Sequence, residues 1–560
     1  MMNLFVVALS VATLMAWQAH AFVAPSLGSH VVSSKWGYPS VKLQSTTSSV
    51  SYDMSTDSPN NDAASIGTVT IMIPSKHADI TKAKYGAKSP VGNPTLQEAA
   101  AQLARKVLWF SDGGVTATVV HADEANASFK DLEEVDALIA LGFSSVEDME
   151  FARKIFDKRR ERDATKKYRQ CQFGLDCAEP LPVYVGPYDE SSVALQATIP
   201  WTAHASGGRL VEQMRGLFDR WTSDDFSVAL LLFFNQFSGS EVDWVKHSID
   251  ATWEKGPVRN AEEFYSMITK CGDCITKCVA DETCKTCLDA LTAVDTRDQV
   301  ASYRTIVSFE SELLKDFSYC ILQKNNIFNC DAQIPTLPKV EPITSWRGQD
   351  LTPEAARGIL VGHLDDEAAP EGSLGLNISW KVACGANVAY DQFPSQNQIF
   401  YESVNGKDMW YDPVFRVETI DGRNVWCKRH YKVRDGPVAG TFRFSALDNG
   451  VTSNEFWMIA GVADDLSWIV FHYAGAATSV GQRYLGGLLC TPDGALPATE
   501  QLPEIWKALR RAGIQPWELY IVDNTVNSQG ANEAGPAPLT YFRDQVLAAK
   551  AKKKAKQNMQ

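Results

Sequence analysis

The chain has 560 residues and carries 67 acidic against 53 basic side chains, a formal net charge of −14. This acidic balance argues against a general nucleic-acid-binding protein, because such proteins need excess positive charge to hold phosphates. The length predicts two or three domains, and 45% hydrophobic residues with 15 Trp are enough to fill substantial cores.

The N-terminus predicts a signal peptide followed by a second targeting segment. The apolar run 4–16 is too short to span a bilayer, and the Ala-His-Ala triplet at 19–21 fits a small-x-small cleavage site. Phe22 follows, and a Ser/Thr-rich, acid-poor stretch then extends to about Tyr52. This two-part arrangement resembles the plastid leader of algae with complex plastids, with plain secretion as the alternative. Residues 1–62 are therefore predicted to be leader and linker.

Strands and helices alternate between residues 63 and 260, which predicts a layered α/β domain of unknown role. The predicted strands are Thr68–Ile73, Val115–His121, Ala137–Leu141, Val183–Val185 and Ser227–Phe234, and the predicted helices are Thr95–Leu108, Ser145–Arg160 and Ser240–Trp253. The glycine pairs of this segment form neither a G-x-G-x-x-G pattern nor a P-loop, so no nucleotide site is predicted.

Residues 261–335 are rich in cysteine and predict a small helical unit. The cysteines are Cys271, Cys274, Cys278, Cys284, Cys287, Cys320 and Cys330. Thiols at this density either bind metal or pair as disulfides. No His lies among them and the spacing is not that of two C-x2-C hooks, so disulfides are favoured and no metal site is predicted. Which cysteines pair with which cannot be deduced from spacing.

Prolines mark a linker over 336–371, with a short helix over Leu351–Leu360, and the chain then becomes all-β over 372–525. Turn pairs such as Asn405-Gly406 separate most of the predicted strands. These strands are Asn377–Val382, Ile399–Tyr401, Trp410–Glu418, Val425–Val433, Gly440–Ser445, Phe456–Val462, Trp468–Tyr473 and Tyr484–Cys490. Eight antiparallel strands predict a closed barrel that can hold one elongated apolar ligand.

After the barrel strands come a predicted helix, Leu502–Ala512, and a short strand, Glu518–Val522. The last segment, 526–560, is predicted to be a flexible Lys-rich tail, and its basic run 550–556 is interpreted as solvated. No segment of the sequence, the leader included, is apolar for long enough to suggest a membrane span.

Several motifs of the barrel region resemble the violaxanthin de-epoxidase family. They are Trp380-Lys-Val-Ala-Cys-Gly385-x-Asn387-x-Ala-Tyr-Asp391-x-Phe393, Trp410-Tyr-Asp-Pro-Val-Phe415, Asp448-Asn-Gly450, Asn454-Glu-Phe-Trp457, His472-Tyr473-x-Gly475 and Tyr484-x-Gly486-Gly487. The resemblance covers about residues 265–525, including the density of the cysteine segment. The preceding α/β domain and the absence of a Glu-rich C-terminal region are most like the violaxanthin de-epoxidase-related branch.

Together, the predicted elements and the resemblance indicate an α+β multidomain fold: an α/β layered domain, a disulfide-rich helical segment and an eight-stranded antiparallel lipocalin-type β-barrel. The resemblance also implies an oxidoreductase that opens and reductively removes the epoxide of violaxanthin or diadinoxanthin, with ascorbate as reductant and without a metal. Family members act on the lumenal side of the thylakoid, so plastid localisation and peripheral thylakoid association are expected. Nucleic acid is not an expected partner.

The matched positions suggest site residues. Tyr473 matches the family's catalytic tyrosine, Asp391 an aspartate near the barrel mouth, and Gln396 a glutamine in the cavity. Asn454 falls where the family has its catalytic aspartate, with Glu455 beside it. An amide cannot donate a proton as a carboxylic acid does. If Asn454 faces the cavity, then Glu455 faces away from it, because adjacent strand residues point to opposite faces.

Three more residues are expected to contact the substrate: His430, at a family glutamine position, and Trp457 and Phe471 in the barrel wall. Two alternatives to the reductive enzyme remain open at this point. The first is an epoxycarotenoid isomerase that opens the ring without net reduction. The second is a non-catalytic carotenoid-binding lipocalin, in which Asn454 marks lost catalysis.

Overall fold

A computed structural model describes most of the region from residue 67 to residue 525. The described residues are 67–74, 89–111, 114–122, 132, 135–163, 170–179, 181, 184–186, 261–294, 299–327, 334, 340–364, 378–387, 389–477, 479, 482–525, 552 and 555–557. The predicted leader, the predicted strand Ser227–Phe234, the predicted helix Ser240–Trp253 and Cys330 lie outside them.

The first domain is built on a five-stranded sheet. Its strands are β1 (Gly67–Ile73), β2 (Val115–His121), β3 (Ala137–Leu141), β4 (Gln170–Leu175) and β5 (Tyr184–Gly186), in the order β2-β1-β3-β4-β5. Strands β1 to β4 are parallel and β5 runs antiparallel to β4. This confirms the predicted α/β layering and adds β4, a strand that the sequence analysis missed.

Two described helices accompany this sheet, α1 (Leu96–Phe110) and α2 (Val146–Asp163). Helix α1 begins where Thr95 and Glu98 satisfy each other's backbone N–H groups in a capping box. Ser145 caps α2, because its hydroxyl accepts the N–H of Asp148 at 3.0 Å. Both helices therefore begin within one residue of the predicted positions.

The cysteine-bridged unit, residues 261–327 in their described parts, is helical as predicted. It contains α3 (Ala261–Ala280), α4 (Glu282–Ala293), α5 (Gln299–Ser308), α6 (Glu312–Ser318) and a π-helix (Tyr319–Lys324). Disulfides join Cys271 to Cys320 and Cys278 to Cys284. The first ties α3 to the π-helix, and the second spans the turn between α3 and α4.

Two cysteines of this unit were predicted to be bridged and are not. Cys274 and Cys287 carry free thiols among the described residues, so the disulfide prediction is wrong for both. Burial raises the pKa of the Cys287 thiol to about 12, which keeps it protonated. A dense cluster of cysteines indicates an oxidised unit without indicating which members bond, and the prediction therefore included too many.

The C-terminal part closes into an eight-stranded antiparallel barrel, which confirms the predicted fold. The barrel strands are β8 (Trp380–Gly385), β9 (Asn397–Glu402), β10 (Met409–Glu418), β12 (Tyr431–Asp435), β13 (Thr441–Asp448), β14 (Val451–Val462), β15 (Ile469–Ala477) and β16 (Gln482–Thr491). Each pairs with the next, and β16 pairs with β8 to complete the ring.

One predicted barrel strand, Val425–Val433, is two strands in the structure. Its first half is β11 (Asn424–Lys428), which pairs with the end of β10, and its second half is β12. Strand β10 thus pairs with β12 through its beginning and with β11 through its end. The barrel keeps eight strands because β11 extends one edge of it rather than joining the ring.

The segment assigned to a linker closes one end of the barrel. It holds a small hairpin, β6 (Ser345–Trp346) and β7 (Gln349–Asp350), and helix α7 (Pro353–Val361). Ile359 and Leu360 are fully buried in the same apolar cluster as the barrel interior. The Trp380 indole donates to the Ile359 carbonyl at 3.0 Å. This end of the barrel is therefore sealed by side chains.

The last elements are α8 (Ala389–Gln392), between β8 and β9, and α9 (Leu502–Arg511), which follows the barrel, with β17 (Tyr520–Ile521) pairing with β8. Helix α9 packs Ile505 and Leu509 against the outer wall of the barrel. Among the described helices, none has the length and apolar character needed to cross a bilayer.

Candidate active site

The barrel interior is lined largely by aromatic side chains. Phe444 stacks on Trp457 with ring centroids 4.9 Å apart, and Phe400 stacks on Tyr411 at 4.6 Å. Phe471 lies 5.6 Å from Trp457, so these two of the residues expected to contact substrate line the interior. These rings touch one another and are almost fully buried. A polyene end group would therefore replace ring-to-ring contacts, and the side chains must move to admit it.

A carboxylate lies among these rings. Glu455 is 7% exposed and accepts hydrogen bonds from the Tyr484 hydroxyl at 2.6 Å and the Trp457 indole at 2.5 Å. Burial raises the pKa of the Glu455 carboxyl, although hydrogen bonds from Tyr484, Trp457 and Tyr431 act in the opposite direction. The site thus holds a carboxylic acid that keeps its proton to a higher pH than an exposed glutamate does.

The orientation of β14 reverses the expectation for Asn454 and Glu455. Trp457 and Ile459 belong to the interior cluster, whereas Met458 belongs to the cluster between the barrel wall and α9. Because strand residues alternate between faces, Glu455 lies on the interior face with Trp457, and Asn454 lies on the outer face. Asn454 is therefore not part of the candidate site, and the buried acid is its neighbour.

Tyr473 faces the same interior, as its match to the family predicts. It is 7% exposed and stacks on Trp457 with centroids 5.2 Å apart. Its hydroxyl accepts a hydrogen bond from Tyr390 on α8 at 3.1 Å. Trp457 pairs with Tyr473 across β14 and β15, so Glu455 is one interior position further along the neighbouring strand.

Tyr484, Tyr431 and Tyr411 were not among the predicted site residues. Tyr484 and Tyr431 hydrogen-bond Glu455, and Tyr411 donates to the buried amide oxygen of Gln398. Burial raises the pKa of each of these phenols well above its usual value. The Tyr484-x-Gly486-Gly487 motif could have identified Tyr484 as a site residue, since it places a tyrosine on the strand next to that of Tyr473.

Glycines make room for the site tyrosines on neighbouring strands. A Cβ at Gly486 would lie 2.3 Å from the Tyr473 hydroxyl oxygen, and one at Gly475 would lie 2.2 Å from the Tyr484 ring. Gly486 pairs with Tyr473, and Gly475 pairs with Tyr484. The small residues therefore let large phenols cross over neighbouring backbone and reach the interior.

Substituting Gly486→Ala should displace the Tyr473 ring without removing any polar group. Displacements of about 1 Å near the reacting atoms can lower catalysis by roughly 100-fold, so we expect a loss of that order in turnover. The matched control is Gly358→Ala in α7, where an added Cβ meets no atom within 4 Å. The measurement is the turnover of epoxyxanthophyll by each variant and by the wild type. If Gly486→Ala turned over pigment as fast as Gly358→Ala, the position of the Tyr473 ring would not matter for catalysis.

Asp391 and Gln396 lie at the edge of the interior. Asp391 is half-buried on α8, and its carboxylate accepts a 3.3 Å hydrogen bond from the adjacent Gln392. The Gln396 amide donates to the carbonyls of Phe393 at 2.8 Å and Ala389 at 3.3 Å. The described contacts of Gln396 thus hold α8 in place.

His430 lies on the outer wall, away from the interior. Its ring stacks on Trp410 at 4.5 Å and its Nδ1 lies 2.7 Å from the Asp412 carboxylate. Trp410 and Asp412 alternate on β10 with Tyr411, which faces inward. The expected substrate contact of His430 is therefore not supported, because its partners are on the other face of the strand.

The cysteine-bridged unit covers the other end of the barrel, which we call the mouth. The mouth comprises α8, the start of β12 and the β13–β14 turn at Asn449-Gly450. Gln323 on the π-helix accepts the Thr452 N–H at 2.8 Å and the Ser479 hydroxyl at 3.3 Å. The unit is therefore anchored directly on the first residues of β14.

Charged and backbone contacts complete this cover. Arg429 forms ion pairs with Glu310 of the unit and with Asp448 of the barrel. Gly450 has a positive φ of 82°. A Cβ there would lie 2.3 Å from the Lys315 carbonyl oxygen. The turn and α6 pack backbone against backbone, so a ligand reaching Glu455 through the mouth must pass this unit.

Comparison with known proteins gives one family match. The VDE lipocalin domain matches residues 263–524. No curated protein matches the chain.

Among solved structures, the chain is similar to lobster apocrustacyanin A1 at 10% identity over 34% of this chain and 93% of that one, with a TM-score of 0.20. It is similar to the bovine lipocalin allergen Bos d 2 at 9% identity, over 26% and 92% of the two chains, and to the siderocalin Ex-FABP at 9%, over 26% and 91%, both with a TM-score of 0.20.

The matched segment contains the complete barrel and all but the first two residues of the cysteine-bridged unit. The closed eight-stranded ring and the disulfides agree with that match. Residues 263–524, somewhat less than half of the chain, are therefore similar to the VDE lipocalin domain in sequence and in fold.

Proposed function

We propose that this protein is an epoxyxanthophyll de-epoxidase. The observation that carries the proposal is Glu455, a carboxylic acid of raised pKa inside an aromatic barrel. The resemblance had left the catalytic position occupied by an amide. Glu455, and not Asn454, lies on the interior face, and this placement supports Glu455 as the proton donor that the chemistry needs.

Opening an epoxide requires a proton on its oxygen, because an alkoxide is a poor leaving group. Glu455 in its protonated form is the donor. Burial raises the pKa of its carboxyl, whereas the hydrogen bonds from Tyr484, Trp457 and Tyr431 act in the opposite direction. Tyr473 lies one interior position away on the next strand. A phenol there can hydrogen-bond the oxygen or exchange a proton with the opened ring.

Net removal of the epoxide consumes two electrons and two protons, releases the oxygen as water and leaves a carbon–carbon double bond. Ascorbate would supply the electrons and become dehydroascorbate. We assign no binding step for ascorbate to the interior.

The proposed substrate is violaxanthin or diadinoxanthin, whose epoxide lies on an end ring of a long polyene. The aromatic lining suits such a ring, since Trp457, Phe444 and Phe471 present flat apolar faces. Plastid localisation and peripheral thylakoid association, inferred from the leader and the resemblance, belong to the same proposal.

The test incubates the purified chain with violaxanthin and diadinoxanthin, with and without ascorbate, at pH 5 and 7. De-epoxidation predicts product only with ascorbate, with the mass of one oxygen lost. Product of unchanged mass that forms without ascorbate would replace the proposal by an isomerase. Pigment that is bound and recovered unchanged in every condition would replace it by a carotenoid-binding lipocalin.

A further inference from the structure

Tyr390 reaches the interior from α8 rather than from a barrel strand. It is 8% exposed, and its hydroxyl donates to the Tyr473 hydroxyl oxygen at 3.1 Å. Its ring lies against Gly385, where a Cβ would come within 2.2 Å of a ring carbon. The ring therefore has one well-defined place, and its hydroxyl meets Tyr473 there.

The helix that carries Tyr390 is held by its surroundings. Four residues are too few for a helix to be stable on its own. The Asn387 side chain accepts the N–H of Ala389 at 2.9 Å, and Gln396 donates to two carbonyls of the same segment. From the cysteine-bridged unit, Tyr303 packs its ring 5.9 Å from Phe393. These contacts fix the position of the Tyr390 hydroxyl.

We propose that Tyr390 is a positioning residue that orients the Tyr473 hydroxyl for proton transfer; this inference rests on the proposed function. A phenol has a single proton, and that of Tyr390 is given to the Tyr473 oxygen. The proton of Tyr473 must then point away from Tyr390.

The neighbours of Tyr473 indicate the direction in which its hydroxyl can donate a proton. The Tyr473 ring lies 6.3 Å from that of Tyr484, which hydrogen-bonds Glu455. The Tyr390–Tyr473 pair is thus the next polar group after the Glu455 cluster. When Tyr473 releases its proton, the hydrogen bond from Tyr390 stabilises the phenolate. Two hydroxyls are therefore arranged to deliver one proton.

The substitution Tyr390→Phe removes the donor and leaves the ring against Gly385. One hydrogen bond to a charged group is worth about 1.5–3 kcal/mol, so we expect kcat to fall by about 10- to 100-fold with KM unchanged. Beyond the decline that follows deprotonation of Glu455, the loss of activity on ionisation of Tyr473 should move to higher pH, because the phenolate has lost its donor. In the Tyr473→Phe background, Tyr390→Phe should have no further effect.

The matched control is Tyr401→Phe, a buried tyrosine on the outer face whose hydroxyl donates to Asp412 at 3.2 Å. It should leave kcat and the pH profile unchanged. A Tyr390→Phe enzyme with the kcat and pH profile of the wild type would overturn the proposal. So would a full additional loss on top of Tyr473→Phe, since Tyr390 would then act independently.

A second measurement separates this inference from the proposed function. If wild-type protein turns over no epoxyxanthophyll, the proposed function has failed, and the coupling of the two hydroxyls is measured by urea unfolding. Non-additive shifts in the unfolding midpoint for Tyr390→Phe, Tyr473→Phe and the double variant would support the pair. Additive shifts would overturn it, because they mean that the hydroxyls do not interact.

Discussion

Substituting Glu455→Gln should lower de-epoxidation by at least about 100-fold, the lower range of general acid catalysis, and by as much as about 10,000-fold. The amide has the size of the acid but cannot transfer a proton to the epoxide oxygen. Pigment binding should stay near that of the wild type, because the aromatic lining is unchanged. The measurement is initial rate with violaxanthin and ascorbate, beside pigment binding followed by quenching of tryptophan fluorescence.

The pH dependence of this effect has a definite sign. Burial raises the pKa of Glu455, so the folded protein binds this proton more tightly than the unfolded chain does. The stabilisation is fully present below the unfolded pKa and is lost as pH rises through the folded pKa. Activity that needs the protonated acid declines over the same rise. Glu455→Gln should therefore be at least as stable as the wild type at neutral pH, and its stability should depend less on pH.

Asn454→Asp is the matched control, because it places a carboxylate on the outer face of the same strand. The structure predicts that it changes turnover little. If Asn454→Asp raised activity strongly while Glu455→Gln kept wild-type rates, the register of β14 would have to shift by one residue, so that position 454 faced the interior. The catalytic assignment would then return to Asn454.

The barrel could be predicted from sequence because its turns carry strong local signals. In pairs such as Asn405-Gly406 and Asp421-Gly422, the glycine has the positive φ angle that its tight turn needs. The turns therefore showed that strands lie between them, but they defined the ends of those strands less well. The break between β11 and β12 was missed because Val425–Val433 has no glycine or proline to mark it.

The facing of β14 could not be predicted, although the whole site depends on it. In a half-exposed strand, polar and apolar residues alternate and reveal the buried face. In β14 both faces are apolar beyond Glu455: Trp457 faces the interior, whereas Phe456 and Met458 pack towards α9. The alternation of polar and apolar residues therefore did not show which face of β14 is buried. The match to the family, made without gaps, placed the amide of Asn454 in the site.

The polar partners of Glu455 are distant in sequence, and this explains why they were missed. Tyr431 and Tyr484 come from β12 and β16, and they meet Glu455 only because the ring of strands closes. Tyr390 comes from a four-residue helix held by side-chain hydrogen bonds. Sequence spacing carries no information on such encounters. Tyr390 and Tyr484 also lie in the quoted motifs, but only Tyr473 matched a family residue with an assigned role.

Replacing both Cys271 and Cys320 by Ser should disorder the cover of the mouth and lower activity by about tenfold or more. The bridge closes a loop of 49 residues, for which the chain-entropy relation gives roughly 4 kcal/mol. The same bridge holds the π-helix whose Gln323 accepts the Thr452 N–H. Hydrogen exchange over 299–327, measured beside turnover, should show faster exchange in the variant, and dithiothreitol should reproduce both effects.

The bridge between Cys278 and Cys284 provides the graded control. It closes a separation of 6 residues, so its removal should cost only roughly 2 kcal/mol by the same relation. Cys274→Ser, which removes a free thiol, should change neither exchange nor turnover. Fast exchange with full activity in the Cys271/Cys320 variant would mean that the cover is dispensable for chemistry. Slow exchange in that variant would mean that contacts such as Arg429 with Glu310 hold the unit without the bridge.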